Sequence, residues 1–201
     1  MRKRTVISKI VLATRNANKV VEIEKIIGDI VETQTISNFV KVEIPEFGRS
    51  LLDNSFAKAA FAYRLCGHPS LADDSGLFVD SLDGAPGIYS SRYGKNDEER
   101  IARLLGNLET ERKRTAVFRV VFVYYYADGK YKVFEGECAG GIARCARGSK
   151  GFGYDPIFIP RGYKKTFAEL GPSVKNRISH RAVALRKFRK FLIKEQPSMD
   201  K

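Results

Sequence analysis

At 201 residues and 43% hydrophobic content the chain can bury a core without covalent staples. Its three cysteines, Cys66, Cys138 and Cys145, are an odd number with no C-x-x-C pair, which argues against a disulfide framework and a structural zinc site and favours a reducing cytoplasm. The net charge of +13, from 36 Lys and Arg against 23 Asp and Glu, favours polyanionic partners, nucleotides and nucleic acids alike, and no apolar run is long enough to cross a bilayer.

The basic start, Met1 to Arg4, reads as a solvated tail rather than a leader, because Lys9 interrupts the apolar run that follows. Val6 to Thr14 then reads as a buried strand. Asn18 to Ile27 follows as a helix, with Val20, Ile23 and Ile27 at helical spacing. A second helix is predicted from Asp53 to Cys66, stopped by Gly67 with Pro69 behind it. Pro69 to Ala72 reads as a strand feeding an acidic turn.

A third helix covers Asp97 to Leu105, capped near Asn96 and ended by Gly106. Ala116 to Tyr126 is rich in β-branched and aromatic residues and reads as a long strand. Asp128-Gly129 gives a hairpin signal, after which Lys130 to Glu137 and Gly141 to Arg144 continue antiparallel pairing. Ser179 can cap a last, basic helix that carries Leu185, Phe188 and Leu192 inward. Helices interleaved with strands, then a meander, give an α/β fold with a mixed sheet. No linker or repeat divides residues 1–201, so a single domain of two lobes with a cleft between them is expected, with tails at 1–4 and 196–201.

Four segments carry chemistry. GFGYDPIF, from Gly151 to Phe158, joins glycines that permit close approach to a flat ring, Phe152, and to Asp155, held extended before Pro156. It suits one wall of a pocket for a planar polar ring, or else a turn between strands. TRNANK, from Thr14 to Lys19, sets a hydroxyl, amides and an ammonium where a strand turns into a helix, a place that favours anions. It lacks the glycine-rich pattern of a P-loop, and a helix cap with a surface lysine explains it equally well.

Asp73, Asp74 and Ser75 precede Gly76 at a strand end, where a carboxylate can reach a divalent cation or a water. Side chains alternate across a strand, so one of the two acids is expected to face the cleft, unless the segment is a plain turn. Lys58, on the preceding helix, reads by itself as a solvated charge. Lys175, Ser179, His180 and Arg181 gather cations at a helix start, where the dipole disfavours them. The alternative is structural, with His180 bonded to a carbonyl and Arg181 paired to an acid such as Glu169.

TRNANK, SLLDNSFAKA at Ser50 to Ala59, LADDSGLFVDSLDGAPGIYSSRYG at Leu71 to Gly94, GFGYDPIF, TFAEL at Thr166 to Leu170 and KNRISHRAVAL at Lys175 to Leu185 occur in that order. Together they resemble the inosine triphosphate pyrophosphatase family of house-cleaning purine nucleoside triphosphate diphosphatases. The resemblance implies an elongated, two-lobed mixed α/β fold, a homodimer, and magnesium-dependent hydrolysis of inosine and xanthosine triphosphates and their deoxy forms to monophosphate and pyrophosphate.

Carried over by position, the phosphate loop is Thr14, Arg15, Asn16, Ala17, Asn18 and Lys19. Asp74 is the general base and a magnesium contact, with Lys19 and Lys58 beside it in the catalytic set, and Glu46 a second metal ligand. Ser75 binds substrate, Phe152 stacks on the base with Gly153, Tyr154 and Asp155 completing that wall, and Lys175, His180 and Arg181 bind the purine and its 6-oxo edge. Arg15 and Asn18 stand where the family has glycines, Asp53 replaces a glutamate, and Pro45 to Gly48 lacks an acidic pair.

Two rivals remain open. One is a related pyrophosphatase for pyrimidine or modified bases. The other is a nucleic-acid-binding module that uses Tyr124 to Tyr126 as a stacking platform with the C-terminal lysines; the resemblance itself implies no stable nucleic-acid partner and no membrane.

Overall fold

The computed structural model describes residues 9–40 and 48–195. Its order is β1 (Lys9–Leu12), α1 (Ala17–Ile27), β2 (Glu32–Thr35), α2 (Leu51–Cys66), β3 (Ser70–Val79), β4 (Pro86–Gly87), α3 (Asp97–Asn107), β5 (Thr115–Ala127), β6 (Lys130–Ile142), β7 (Phe158–Pro160), α4 (Phe167–Leu170), α5 (Pro172–Ile178) and α6 (His180–Glu195). The sheet is mixed, in the order β2-β1-β3-β5-β6-β7, with β4 paired to β3. β1 runs parallel to β2 and β3, with Val11 opposite Ser70 and Leu12 opposite Leu71. β4 on β3 and β7 on β6 are antiparallel.

The chain packs as two compact units. The first comprises residues up to Asp74, Val121–Phe134 and the chain from Ala184. Ile10, Val11 and Leu12 of β1 are fully buried with Ile23 and Ile27 of α1 and Leu185, Phe188 and Leu192 of α6. Tyr124 packs its ring 5.1 Å from that of Phe188. Tyr124 and Tyr125 are both buried and Tyr126 is half-buried, so two of the three tyrosines belong to the core and not to a stacking platform, and burial raises the Tyr124 phenol far above its ordinary pKa.

The second unit, Ser75–Val120 with Glu135–Val183, is built on Leu77, Val79, Leu104, Leu108, Phe118, Ile157, Phe158 and Phe167. All three cysteines are free thiols. The buried one, Cys138, has its pKa pushed up to about 11 by desolvation. No helix among the described residues is long and apolar enough to cross a membrane.

Three sequence expectations are corrected. β3 does not stop at Ala72: it runs through Asp73, Asp74 and Ser75 to Val79, between β1 and β5 in the sheet, with β1 paired at Ser70 and Leu71 and β4 at Leu77 and Phe78. The acidic segment is therefore strand, not turn. β6 is one strand across Gly140 and Gly141 rather than two. The first strand ends at Leu12 rather than Thr14, whose hydroxyl instead accepts the Asn16 N–H before α1; Val6 to Ser8 lie outside the described residues.

Candidate active site

Chemistry in the first unit centres on the acids of β3. Asp73 and Asp74 are only 2% and 6% exposed, and a buried carboxylate must be answered by charge or hydrogen bonds. Alternation on the strand gives them separate partners. Lys19 Nζ on α1 lies 3.0 Å from Asp73 Oδ2. Asn54 Nδ2 on α2 donates to Asp74 Oδ2 at 2.8 Å, and Lys58 Nζ lies 3.9 Å from Asp74 Oδ1. Lys58 is thus a buried counterion of Asp74, which corrects the reading of it as a solvated charge.

Asn54 is the residue that sequence reasoning missed. Its Oδ1 accepts the Gly48 N–H at 2.8 Å while its amide nitrogen donates to Asp74, so the carboxamide is locked in one orientation. The available signal was spacing: Asn54 and Lys58 are four apart on one helix and face one side.

The phosphate-loop residues sit where β1 gives way to α1. Asn16 is the N-cap, and its Oδ1 accepts from the Asn18 and Lys19 amides. Those amides, read from sequence as open to an anion, are satisfied by the cap itself, which leaves the Asn16 amide end as a donor. Thr14 Oγ1 accepts the Asn16 N–H at 3.2 Å. Arg15 turns away, donating to the Val40 carbonyl at 2.7 Å, and Ala17 and Asn18 are exposed on the first turn. Glu46 lies outside the described residues.

In the second unit Phe152, Lys175 and Arg181 come together. Lys175 Nζ stands over the Phe152 ring, 4.1 Å from its centroid, and the Arg181 guanidinium lies 5.8 Å from the same centroid. Both cations are nearly fully buried. Lys175 donates to Asp155 Oδ2 at 2.5 Å, and Arg181 Nη2 to Ser75 Oγ at 3.3 Å. Arg181 therefore meets Ser75, while Glu169 completes the capping box of α4 with Thr166. His180 is buried with its ring stacked on Phe118 at 4.7 Å and 9°.

The loop holding Phe152 reverses direction at Gly151 and Gly153, whose φ values of +85° and +62° favour glycine. At Gly151 a Cβ would also lie 2.1 Å from Asp155 Oδ2. The Tyr154 side chain points into the core and donates to the Ser90 carbonyl at 3.0 Å, so of this residue only the backbone lines the loop. Asp155 sits behind the loop, tying it to Lys175.

Comparison with known proteins bears on both halves. The Ham1 family pattern matches residues 10–191. The chain is 40% identical over 190 residues to a dITP/XTP pyrophosphatase of Christiangramia forsetii, covering 92% of this chain and 100% of that one. It is 44% identical over 185 residues to one of Pseudomonas aeruginosa, covering 89% and 94%. A HAM1 protein from Coxiella burnetii superposes with a TM-score of 0.87 at 38% identity, over 93% of this chain and 99% of that one. With the pattern spanning nearly the whole chain and both constellations inside it, this protein belongs to the Ham1 family.

Proposed function

We propose that the chain hydrolyses inosine, deoxyinosine and xanthosine triphosphates at the α–β phosphoanhydride link, giving the monophosphate and pyrophosphate. The observation that carries this reading is the buried Lys175 and Arg181 beside the Phe152 ring. Phe152 would stack on the purine, with the 6-oxo edge of the base turned toward these two cations. Both cations are donors only, so they accommodate a 6-oxo acceptor and leave the amino group of adenine facing another donor. The dITP/XTP names of the relatives point the same way.

In the phosphate-handling half, Asp74 takes the proton of the attacking water. Its carboxylate is oriented by Asn54 and faced by Lys58. Lys19, with the Asn16 amide end, offsets charge that develops on phosphate as pyrophosphate leaves. No covalent intermediate is required.

The donor set suits a hard divalent cation, since magnesium is commonly held by one or two carboxylates together with substrate phosphates. Asp74, with Glu46, would hold it, and it would supply further charge neutralisation on the phosphates. The test is pyrophosphate release from a panel of inosine, xanthosine, guanosine, adenosine and pyrimidine triphosphates, with magnesium and with a chelator. Turnover confined to the 6-oxo purines and lost with chelator is expected; equal turnover of adenosine triphosphate would sink the reading.

A further inference from the structure

Asp97 is a first-turn carboxylate of α3 that is not needed to cap the helix. The N-terminus of α3 is already capped by Asn96, whose Oδ1 accepts from Glu99 N at 2.8 Å, and Glu99 Oε2 in turn accepts from Lys95 N at 2.9 Å. Asp97 instead reaches across 56 residues of sequence: its Oδ2 accepts the Gly153 N–H at 2.7 Å. Its Oδ1 is held by Arg100 Nη1, also at 2.7 Å, which fixes the carboxylate plane.

Gly153 N–H belongs to the peptide following Phe152. The peptide preceding Phe152 is held too, because Phe152 N–H donates to Asp155 Oδ2 at 2.9 Å. Two carboxylates from distant segments thus clamp the two peptide planes that flank one residue. Fixing both planes fixes φ and ψ of Phe152, and with them the direction in which its ring leaves the backbone. Hydrogen bonds to charged acceptors are the strong kind, suited to holding a glycine-flanked loop that would otherwise be conformationally permissive.

We propose that Asp97 is a positioning residue for base recognition, acting through the Gly153 amide to set the Phe152 ring against which the purine stacks. This rests on the functional reading above. Asp97 touches neither substrate nor the reacting atoms, so its effect falls on binding of the base and not on the hydrolytic step.

The test is the pair Asp97→Ala and Asp97→Asn. Loss of one charged hydrogen bond that orders the loop is expected to raise KM for inosine triphosphate about 10-fold in Asp97→Ala with kcat nearly unchanged, and Asp97→Asn, which keeps an acceptor oxygen, should recover most of that loss. Inhibition by tripolyphosphate, which has no base, should stay at the wild-type level. If Asp97→Ala does not fold, Asp97→Ser, too short to reach Gly153 yet compatible with the helix start, carries the same expectation.

An unchanged KM in a folded Ala or Ser variant, or a fall in kcat at constant KM, overturns the proposal. The Gly153 amide proton resonance, measured without nucleotide, should move upfield in Asp97→Ala, and a stationary resonance overturns the anchor by itself. Failure of the wild type to release pyrophosphate from any 6-oxo purine triphosphate would overturn the functional reading and the recognition role with it, while the amide resonance would still report on the anchor.

Discussion

Lys19 and Asp73 form an ion pair at 3.0 Å in which the acid side chain is almost wholly buried and the lysine side chain is 17% exposed. The neighbouring Asp74 has its own partners in Asn54 and Lys58. Adjacent acids therefore have different partners, and in the proposed reaction Asp73 holds Lys19 in position while Asp74 handles water. Asp74→Asn should lower kcat by at least about 100-fold with the melting temperature little changed, and Asp73→Asn by about 10-fold or less. Equal, mild losses in the two variants would remove Asp74 from the catalytic role.

Removing Lys19 leaves Asp73 buried without that counterion. Lys19→Ala is expected to destabilise the fold by about 3 kcal/mol and to depress turnover of every triphosphate alike. Adding Asp73→Asn should restore much of the stability but none of the activity. Denaturant titration of the single and double variants measures the coupling; strictly additive losses would show that the pair contributes nothing as a pair.

Asn54 holds Asp74 with one end of its carboxamide and Gly48 with the other. Asn54→Leu keeps volume but loses both bonds, leaving a buried carboxylate short of a donor and costing about 1 to 3 kcal/mol of stability. Turnover should fall while base preference stays. A shift in the ratio of inosine to adenosine triphosphate turnover would place Asn54 in base recognition instead.

Arg181 is buried against Ser75 and beside Phe152. Arg181→Ala should narrow the kcat/KM gap between inosine and adenosine triphosphates by about 1 to 3 kcal/mol, mostly through loss of activity on inosine triphosphate. A lower melting temperature with the ratio unchanged would make Arg181 structural only.

Glu169 accepts the Thr166 backbone N–H at 2.7 Å, which holds its carboxyl below its ordinary pKa, with Arg147 assisting. A depressed carboxylate pKa contributes stability above its unfolded value, and that contribution is lost as pH falls through the folded one. Glu169→Gln should therefore melt below the wild type at neutral pH, with the gap closing as pH falls below the ordinary carboxylate range. A gap independent of pH would mean that the charge is immaterial.

Much of this was legible in the sequence. The cap at Asn96, the Asp128-Gly129 hairpin and the inward face of α6 are local signals, and each stands in the structure as the residue pattern indicates. What local reasoning lost depends on distant partners. D-D-S-G favours a turn by composition, yet it stands within β3, between β1 and β5 in the sheet, with its acids answered by the cations of α1 and α2. β2 is four polar or half-exposed residues, E-T-Q-T, and becomes a strand only by lying along β1. Asp97 looks like one of three acids in a helix first turn until its reach to Gly153 is seen.

The two acids and two ammonium groups around Asp73 and Asp74 cancel one another. Long-range attraction of a polyanion must then come from the excess of +13 spread over the whole chain. Arrival and retention consequently answer to different variables. Raising ionic strength should slow the encounter rate, because exposed charges are screened beyond about 10 Å at 0.1 M salt, and should leave the lifetime of the bound nucleotide, governed by buried contacts, nearly as it was.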